Sequence, residues 1–154
     1  MAVRFVGFVS LLLFSALLLP CSIHATQVDY CERGGDYDVE VKGVKISPDP
    51  VVRGKPATFS ISASTGKAIS GGQVVIDVYY FGAHIHSETH DLCEETSCPI
   101  SAGDFVLSHT QSLPGFTPPG PYTLKMKMLS GNGLELTCIK FGFKIKIRSP
   151  IADS

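Results

Sequence analysis

Residues 121–148 read PYTLKMKMLS, then GNG, then LELTCIKFGFKIKIR, and this stretch decides the fold. In both arms apolar residues alternate with polar or charged ones, which is the period of a β-strand that has one buried face. The glycines of the short GNG segment readily adopt the positive φ angles of a tight connection. The stretch therefore predicts a long β-hairpin with one apolar face, and that face needs a second layer of structure to cover it.

The alternation changes phase inside the second arm of this hairpin. Leu136 and Cys138 share one parity, whereas Ile139 and the apolar residues after it have the other. Because a strand exchanges its two faces only through an extra residue, we predict a β-bulge near Cys138 and Ile139. The same change of phase at Gly43, within residues 37–46, predicts a second bulge.

Other alternating runs accompany the hairpin. We predict strands at residues 37–46, 57–64, 73–81 and 104–111, and a polar edge strand at 84–92, with turn-forming segments between them. The run at 73–81 is apolar on both faces, which indicates a central strand. No stretch has a sustained helical period. The sequence therefore predicts an all-β protein, a two-sheet antiparallel sandwich of immunoglobulin-like architecture.

Residues 1–25 have the composition of a secretory signal peptide. Arg4 precedes an apolar run, and residues 23–25 offer a cleavage site before Thr26. The run is shorter than the roughly 18 apolar residues that indicate a transmembrane helix, although a retained N-terminal anchor is the alternative. We therefore predict a single mature domain, residues 26–154, in the secretory pathway and either extracellular or in a vacuole or lysosome.

Charge and motif content exclude several classes of function. Without Arg4 the chain has 12 basic and 14 acidic residues, a formal net charge of −2, so no general affinity for nucleic acid is expected. No serine stands in a Gly-x-Ser-x-Gly elbow, and no glycine-rich phosphate loop precedes a helix. We predict a monomer that is not an enzyme and has no cofactor and no nucleic-acid partner.

Four cysteines remain once Cys21 is removed with the signal peptide: Cys31, Cys93, Cys98 and Cys138. An even number in an oxidising compartment predicts two disulfides, for which three pairings exist. Cys93 and Cys98 are separated only by the polar segment EETS, so we pair them as a local bridge and pair Cys31 with Cys138. The alternative for four cysteines is a zinc site.

Histidines on the predicted edge strand are the candidates for a metal site. His84 and His86 are two residues apart and so point to the same side of a strand, and His90 follows with Glu88 and Asp91 nearby. However, no fourth ligand follows at a convincing spacing, and histidines on a polar edge strand are usually solvated. We therefore predict no metal site.

The inward faces of the predicted strands are rich in aromatic residues and methionine. The inward-facing candidates for lipid contact are Phe59, Ile61, Val78, Tyr80, Phe105, Leu107, Leu124, Met126, Phe141 and Phe143. Met128 shares this face, and the flexible side chain of methionine adapts to an irregularly shaped interior or ligand. Periodicity does not distinguish a filled core from an apolar cavity, so both interpretations stay open on the pattern alone.

The outward face of the hairpin is basic. Its cations are Lys125, Lys127, Lys140, Lys144, Lys146 and Arg148. They are candidates for transient contact with an anionic membrane surface, to which each nearby cation contributes on the order of 1 kcal/mol. The alternative is that lysines on outer strands only maintain solubility and prevent edge pairing.

Six short motifs along the chain resemble one known family. They are CxxGGDY at 31–37, VKISPDP at 44–50, GKPATFSI at 54–61, DLCEETSCPI at 91–100, PPGPYTLKM at 118–126 and LTCIKFGFKI at 136–145. Together they resemble the ML-domain lipid-recognition family over residues 30–147, and most of all its plant members described as phosphatidylglycerol/phosphatidylinositol transfer proteins.

This resemblance implies a sandwich whose sheets splay apart around an apolar cavity, and its cysteine pattern agrees with the pairing above. It implies a secreted protein that sequesters and transfers a phospholipid or sterol, with the inward-facing candidates as lipid contacts. Sterol carriers of the family have an additional early disulfide, for which this sequence has no cysteines. The alternative function is an extracellular protein-recognition module with a filled core and no lipid ligand.

Overall fold

In a computed structural model, residues 26–147 form a sandwich of two β-sheets. The structure describes these residues, so the predicted signal peptide (1–25), Arg148 and the tail at 149–154 lie outside the described part. The elements are, in chain order, β1 (Val28–Tyr30), β2 (Val39–Ser47), β3 (Val51–Val52), β4 (Pro56–Thr65), β5 (Gly72–Tyr80), β6 (Ala83–Asp91), α1 (Leu92–Glu95), β7 (Gly103–Ser112), β8 (Gly120–Ser130) and β9 (Glu135–Lys146). No helix within residues 26–147 is long and apolar enough to cross a membrane.

The two sheets share the strands unequally. The larger sheet has the order β1-β9-β8-β5-β6, with β3 also paired to β9, and the smaller sheet has the order β2-β4-β7. All of these pairs are antiparallel except β3 with β9. The predicted all-β sandwich is therefore confirmed, including the internal position of β5 and the edge position of β6.

The predicted hairpin is formed by β8 and β9 and lies near the centre of the larger sheet. Leu124 pairs with Phe141, and both side chains are buried against the smaller sheet. At the connection Gly133 has a φ of 85°, and its N–H donates a hydrogen bond to the carbonyl oxygen of Ser130 at 2.9 Å. The positive φ explains why glycine stands at this position.

The phase change in β9 has a different origin from the predicted one. The extra residue of the bulge is Leu136, so the predicted position near Cys138 is wrong. Cys138 pairs in register with Lys127 on the outer face, where a disulfide with Cys31 buries it. Because the disulfide buries Cys138 on the outer face, the sequence pattern counted this cysteine as an inward-facing apolar residue. The other predicted bulge, at Gly43 in β2, is confirmed.

Three short elements were missed because they are too short for periodicity to detect. β3 runs parallel to β9, with Val52 opposite Lys146 and the Arg53 N–H donating to the Lys146 carbonyl oxygen at 2.9 Å. α1 begins after Asp91, whose carboxylate accepts a hydrogen bond from the Cys93 N–H at 2.8 Å. β1 adds a three-residue strand beside β9. The expectation of a chain without any helix is corrected by this single turn.

The two long edges of the sandwich are closed in different ways. At one edge the chain passes from β2 in the smaller sheet to β3, which hydrogen-bonds to β9 in the larger sheet. At the other edge β6 and β7 are the last strands of their sheets, and within residues 26–147 they do not pair with each other. We call these the joined edge, at β3, and the open edge, between β6 and β7.

Both predicted disulfides are present. The Cα atoms of Cys31 and Cys138 are 5.4 Å apart, and those of Cys93 and Cys98 are 5.3 Å apart. The first bridge fastens the N-terminal segment onto β9. The second closes the segment that follows α1 at the open edge.

The interior between the sheets has two halves. One half, which we call the filled half, extends towards the hairpin turn at 131–134 and is packed with side chains that are at most 1% exposed. These include Val74, Leu92, Leu107 and Met128. The other half, which we call the cavity half, lies at Tyr122, Phe143 and residues 113–118. The same two sheets therefore enclose a solid core in one half and a space in the other.

Candidate functional site

A cavity of about 380 Å³ lies between the sheets in the cavity half. Strands of both sheets supply its walls, and residues 113–118 and β6 supply the side at the open edge. The lining is mostly apolar and consists of Phe59, Ile76, Val78, Ile85, His86, Glu88, His109, Gln111, Ser112, Leu113, Pro114, Phe116, Thr117, Pro118, Tyr122, Leu124, Phe143 and Ile145. The volume lies at the lower end of the roughly 300–1,000 Å³ found for small-molecule sites.

Aromatic side chains form the most regular part of the wall. The ring of Phe59 lies edge-on to that of Phe143, with centroids 5.3 Å apart. Tyr122 stacks on Phe143 at 5.5 Å, and Tyr80 packs against Tyr122 at 4.7 Å. Tilted and offset ring contacts of this kind are favourable beyond the area that they bury. The rings of this wall therefore hold one another in position, although one side of them faces the cavity.

Two tyrosine hydroxyls hold the segment that covers the cavity. The segment at 113–119 contains three prolines, which lack the N–H needed to extend a sheet. The Tyr122 hydroxyl donates to the Pro118 carbonyl oxygen at 2.7 Å, and the Tyr80 hydroxyl donates to that of Pro119 at 3.1 Å. Burial raises the pKa of Tyr122 above its ordinary value, and the neighbouring Tyr80 raises it further. The Tyr122 hydroxyl therefore stays protonated and able to donate.

The predicted lipid contacts divide between the two halves of the interior. Four of the ten line the cavity: Phe59, Val78, Leu124 and Phe143. Four others lie in the packed core: Ile61, Leu107, Met126 and Phe141. The remaining two, Tyr80 and Phe105, are half-buried against that core. Their common alternation places all ten on inward faces, but the cavity occupies only part of the interior. Their contact with lipid stays a prediction.

Several lining residues were missed by the sequence analysis. Tyr122 and Ile145 share the inward parity of their strands, so the pattern contained a signal for them. Leu113 and Phe116 lie outside any strand, where their apolar side chains in a proline-rich segment were the only signal. Ile85 lies in the edge strand that was predicted to be polar.

The family model described as ML domain matches residues 25–145 of the chain. This chain belongs to the ML domain family. The resemblance inferred from the motifs is thereby confirmed.

Two relatives illustrate the family. The phosphatidylglycerol/phosphatidylinositol transfer protein of Aspergillus oryzae is 30% identical over 129 residues, covering 80% of this ML domain chain and 73% of the relative. A putative phosphatidylglycerol/phosphatidylinositol transfer protein of Dictyostelium discoideum is 27% identical over 140 residues, covering 88% and 97%. The similarity extends over most of both chains in each case.

Solved structures show the same fold at low sequence identity. A Niemann-Pick type C2 protein from Japanese carpenter ant superposes with a TM-score of 0.63 at 16% identity, covering 78% of this chain and 99% of that one. Chicken MD-1, solved in complex with lipid IVa, gives a TM-score of 0.50 at 14% identity and covers 77% and 97%. These likenesses support the two-sheet sandwich.

The mouth of the cavity in this ML domain has an exposed apolar rim. Phe116 and Ile85 line the cavity and are 84% and 52% exposed, whereas Phe81, 76% exposed, lies beside the lining through Tyr80, which packs on Tyr122. Phe81, at the β5–β6 turn, has a φ of 47° and packs edge-on to Tyr80 with ring centroids 4.5 Å apart. Exposed apolar groups gathered at one site of a surface usually mark an interaction site. We call Phe81, Ile85 and Phe116 the apolar rim.

The predicted basic face lies on the outer surface of the larger sheet and is of mixed charge. Lys125 and Lys127 are half-buried, whereas Lys140, Lys144 and Lys146 are exposed. Asp29 of β1 pairs with Lys140, and Asp77 of β5 pairs with Lys125. Anions thus flank two of the cations. Contact of this face with a membrane stays a prediction.

The histidines of β6 point to different sides. His84 reaches outward, with its Nε2 3.1 Å from Oδ1 of Asp77. Burial acts to raise the pKa of Asp77, but a hydrogen bond from Ser87 and the contact with His84 lower it, so that this pKa lies below its ordinary value. The register shift between Val78 and Tyr79 separates His84 from the inward residues of β6. The three candidate histidines therefore do not converge.

A different set of side chains converges inside the open edge. His86 and His90 lie on either side of Glu88, each with Nε2 3.5 Å from Glu88 Oε2. His109 of β7 reaches the same carboxylate from the smaller sheet, with Nε2 3.3 Å from Glu88 Oε1. The sequence analysis did not select His109, whose only signal was its inward position in the alternation of its strand.

Proposed function

We propose that this ML domain binds a lipid in the cavity between its sheets and carries it between membranes, without covalent chemistry. The observation that carries this proposal is the apolar cavity of about 380 Å³ with an apolar rim at its mouth. The relatives from Aspergillus oryzae and Dictyostelium discoideum, which are named as phospholipid transfer proteins, support the same function. We propose a phospholipid as the ligand, with a sterol as the alternative.

The size of the cavity suits the apolar part of such a ligand. Exposing a methylene group to water costs roughly 0.8 kcal/mol, and an acyl segment that moves from a bilayer into the cavity avoids this cost because it exchanges one apolar environment for another. The polar lining is limited to a few groups at the open edge, among them Glu88 and Gln111. A polar headgroup would therefore lie at the mouth, with the acyl segment among the aromatic residues.

The apolar rim supports delivery at a membrane surface. Lys144 and Lys146 are exposed and lie at the same end, because Phe143 and Ile145 line the cavity. Apolar insertion at the mouth would thus be accompanied by attraction of these cations to anionic lipid. Lys125, Lys127 and Lys140 lie farther along the sheet towards the filled half.

The disulfides and the ML domain are consistent with a protein of the secretory pathway. We propose that residues 1–25 direct the chain there and are removed, and that the mature protein is a monomer that is extracellular, vacuolar or lysosomal. Mass spectrometry of the secreted protein, with Thr26 as the expected first residue, tests this part.

The test of lipid binding is to extract and identify the lipid that copurifies with the protein, and to measure transfer between vesicles. Phe116→Ser removes an apolar group at the mouth, worth roughly 1.5–3 kcal/mol when buried, so transfer should slow about tenfold or more. Leu134→Ser is the matched control, because Leu134 is 56% exposed at the opposite end. Its transfer rate should equal that of the wild type.

Two outcomes contradict the proposal. If no lipid copurifies and none displaces an apolar probe, the alternative of a protein-recognition module is favoured. If Phe116→Ser and Leu134→Ser transfer lipid equally well, the rim has no role. The variant Lys140/Lys144/Lys146→Glu separates charge from apolar insertion: equal rates on phosphatidylglycerol-containing vesicles would leave the basic face as a solubility device.

A further inference from the structure

Four ionisable side chains meet at the open edge of the sandwich. Glu88 and His90 come from β6, Glu95 from α1 and His109 from β7. We call these four residues the edge cluster. They lie where the two sheets have no main-chain pairing within the described residues. The cluster therefore occupies a position at which a bound group would connect the two sheets.

The edge cluster is shielded from water to an unusual degree for charged groups. The side chain of His109 is 6% exposed, that of Glu95 10%, that of Glu88 21% and that of His90 29%. Two carboxylates and two imidazoles thus share a space that little water reaches. Buried charges are costly unless they are paired. The site is therefore suited to a cation that pairs with the two carboxylates.

The geometry of three members suits a metal ion. One ligand atom from each of Glu88, His90 and His109 lies within 4.8 Å of the others. His109 Nε2 is 3.3 Å from Glu88 Oε1, and His90 Nε2 is 3.5 Å from Glu88 Oε2. Zinc lies about 2.0–2.2 Å from nitrogen and oxygen ligands, so two tetrahedral ligands are roughly 3.3–3.5 Å apart. Two separations, one to each oxygen of Glu88, have this length, and the third, between the two histidines, is at most 4.8 Å.

The hydrogen bond of His109 to Glu95 orients its imidazole for such a role. When Nδ1 of His109 carries the proton, it donates to Glu95 Oε2, which is 3.0 Å away. In the neutral ring this leaves the lone pair of Nε2 directed at Glu88 Oε1 and Gln111 Oε1, which is 3.2 Å away. In this tautomer an ion at Nε2 would separate two groups that both accept hydrogen bonds. Metal-binding histidines commonly donate their second nitrogen to a carboxylate in this manner.

His90 provides an independent sign of an open ligand position. Its Nε2 is buried and has no hydrogen-bond partner among residues 26–147, although it faces Glu88. Buried polar atoms are normally satisfied, so an unsatisfied imidazole nitrogen needs an explanation. Coordination of an ion by this nitrogen would satisfy it.

We propose that Glu88, His90 and His109 bind a divalent transition-metal ion of the zinc type, with Glu95 as a positioning residue for His109. Three protein ligands leave a fourth position for water or for an oxygen of a ligand. Glu88 and His109 also line the cavity, so the ion would lie in the cavity wall and connect β6 to β7. This site stands independently of the lipid function.

The test uses metal-free protein and Zn²⁺ alone as the probe. We expect one Zn²⁺ per chain by calorimetric titration, a rise in Tm on saturation because the ion binds the folded state, and a tetrahedral Co²⁺ absorption spectrum. His90→Gln should abolish binding, and Glu95→Gln should weaken it about 10–100-fold. His84→Gln is the matched control on the same strand, since His84 pairs outward with Asp77, and it should bind Zn²⁺ as the wild type does.

Three results would overturn the proposal. Weak or non-stoichiometric Zn²⁺ binding that His90→Gln leaves unchanged would assign the ion to surface histidines. Equal losses of Zn²⁺ affinity in His84→Gln and His90→Gln would also assign the ion to surface histidines. A Tm that does not change on addition of Zn²⁺ would mean that no ion binds the folded cluster. His90→Gln is preferred to a change at His109, because the more exposed residue is less critical for folding.

Discussion

The filled half and the cavity half are built from the same strands with the same alternation, yet only one of them is solid. The filled half is fastened by both disulfides and by α1. A β-bridge lies there as well, in which Ile69 and Ile100 exchange two main-chain hydrogen bonds. The cavity half is covered instead by the proline-rich segment at 113–119, which two tyrosine hydroxyls hold. The difference lies in what covers the strands and not in the strands themselves.

Removing the disulfides should give the largest effect and act on the filled half. In the chain-entropy model the Cys31–Cys138 bridge, with a separation of 107 residues, contributes roughly 5 kcal/mol, and the Cys93–Cys98 bridge, with a separation of 5, roughly 2 kcal/mol. Denaturant unfolding of Cys138→Ser and Cys93→Ser measures both values. A larger loss for Cys93→Ser, or a crossed linkage in non-reducing peptide maps, would contradict this order.

A matched pair of leucines compares the packing of the two halves directly. Leu107 is fully buried in the filled half, so Leu107→Ala should destabilise the protein by about 3–5 kcal/mol. Leu124 lines the cavity and already lacks neighbours on one side, so Leu124→Ala should cost about 2 kcal/mol. Free energies of unfolding from urea titrations of Leu107→Ala and Leu124→Ala measure this difference. Equal costs would mean that the cavity half is as well packed as the filled half.

Enlarging the same two residues separates binding from stability. Leu124→Trp should fill the cavity and reduce lipid binding tenfold or more, with a change in stability below about 1 kcal/mol. Leu107→Trp has no space to enter and should destabilise the fold by about 1–3 kcal/mol or more. Displacement of an apolar probe and thermal unfolding provide the two measurements. Normal lipid binding by Leu124→Trp would remove the cavity from the proposed function.

The smallest expected effect concerns Asp77, on the outer surface of the cavity half. Its pKa is lowered in the folded protein, so its ionised form stabilises the fold above the unfolded pKa of about 3.9. This contribution, below about 1 kcal/mol for a largely surface pair, is lost as the pH falls through the lower folded value. Asp77→Asn should therefore be less stable than the wild type at pH 7 and equal to it well below pH 4. Ser87→Ala should reproduce part of the loss.

The sequence was sufficient to predict the strands, but it did not predict which part of the interior is a cavity. Leu124 and Phe143 were placed on inward faces correctly because alternation is a local property. Ile61 and Phe141 have the same alternation but lie in the packed core, since the segment at 113–118 determines which part of the interior stays open. No local pattern contains that information.

The edge cluster was beyond sequence analysis for a related reason. Glu88 and His90 were visible on β6, but their partner His109 lies on the other sheet, and Glu95 belongs to a helix of one turn. Attention to spacing along one strand selected His84, which faces outward. Only the packing of two sheets brings the four members together.

The joined edge determines how the two sheets can separate. The Arg53 N–H donates a hydrogen bond to the Lys146 carbonyl oxygen there, whereas no main-chain hydrogen bond links β6 to β7 within residues 26–147. A ligand larger than the cavity would therefore rotate the sheets about the β3–β9 pairing, with the displacement greatest at β6 and β7. Amide hydrogen exchange should then be slow at residues 51–53 and fast along the opposite strands. The sandwich would thus open as a hinge, and its lipid would enter between β6 and β7, where no main-chain hydrogen bond joins the two sheets within residues 26–147.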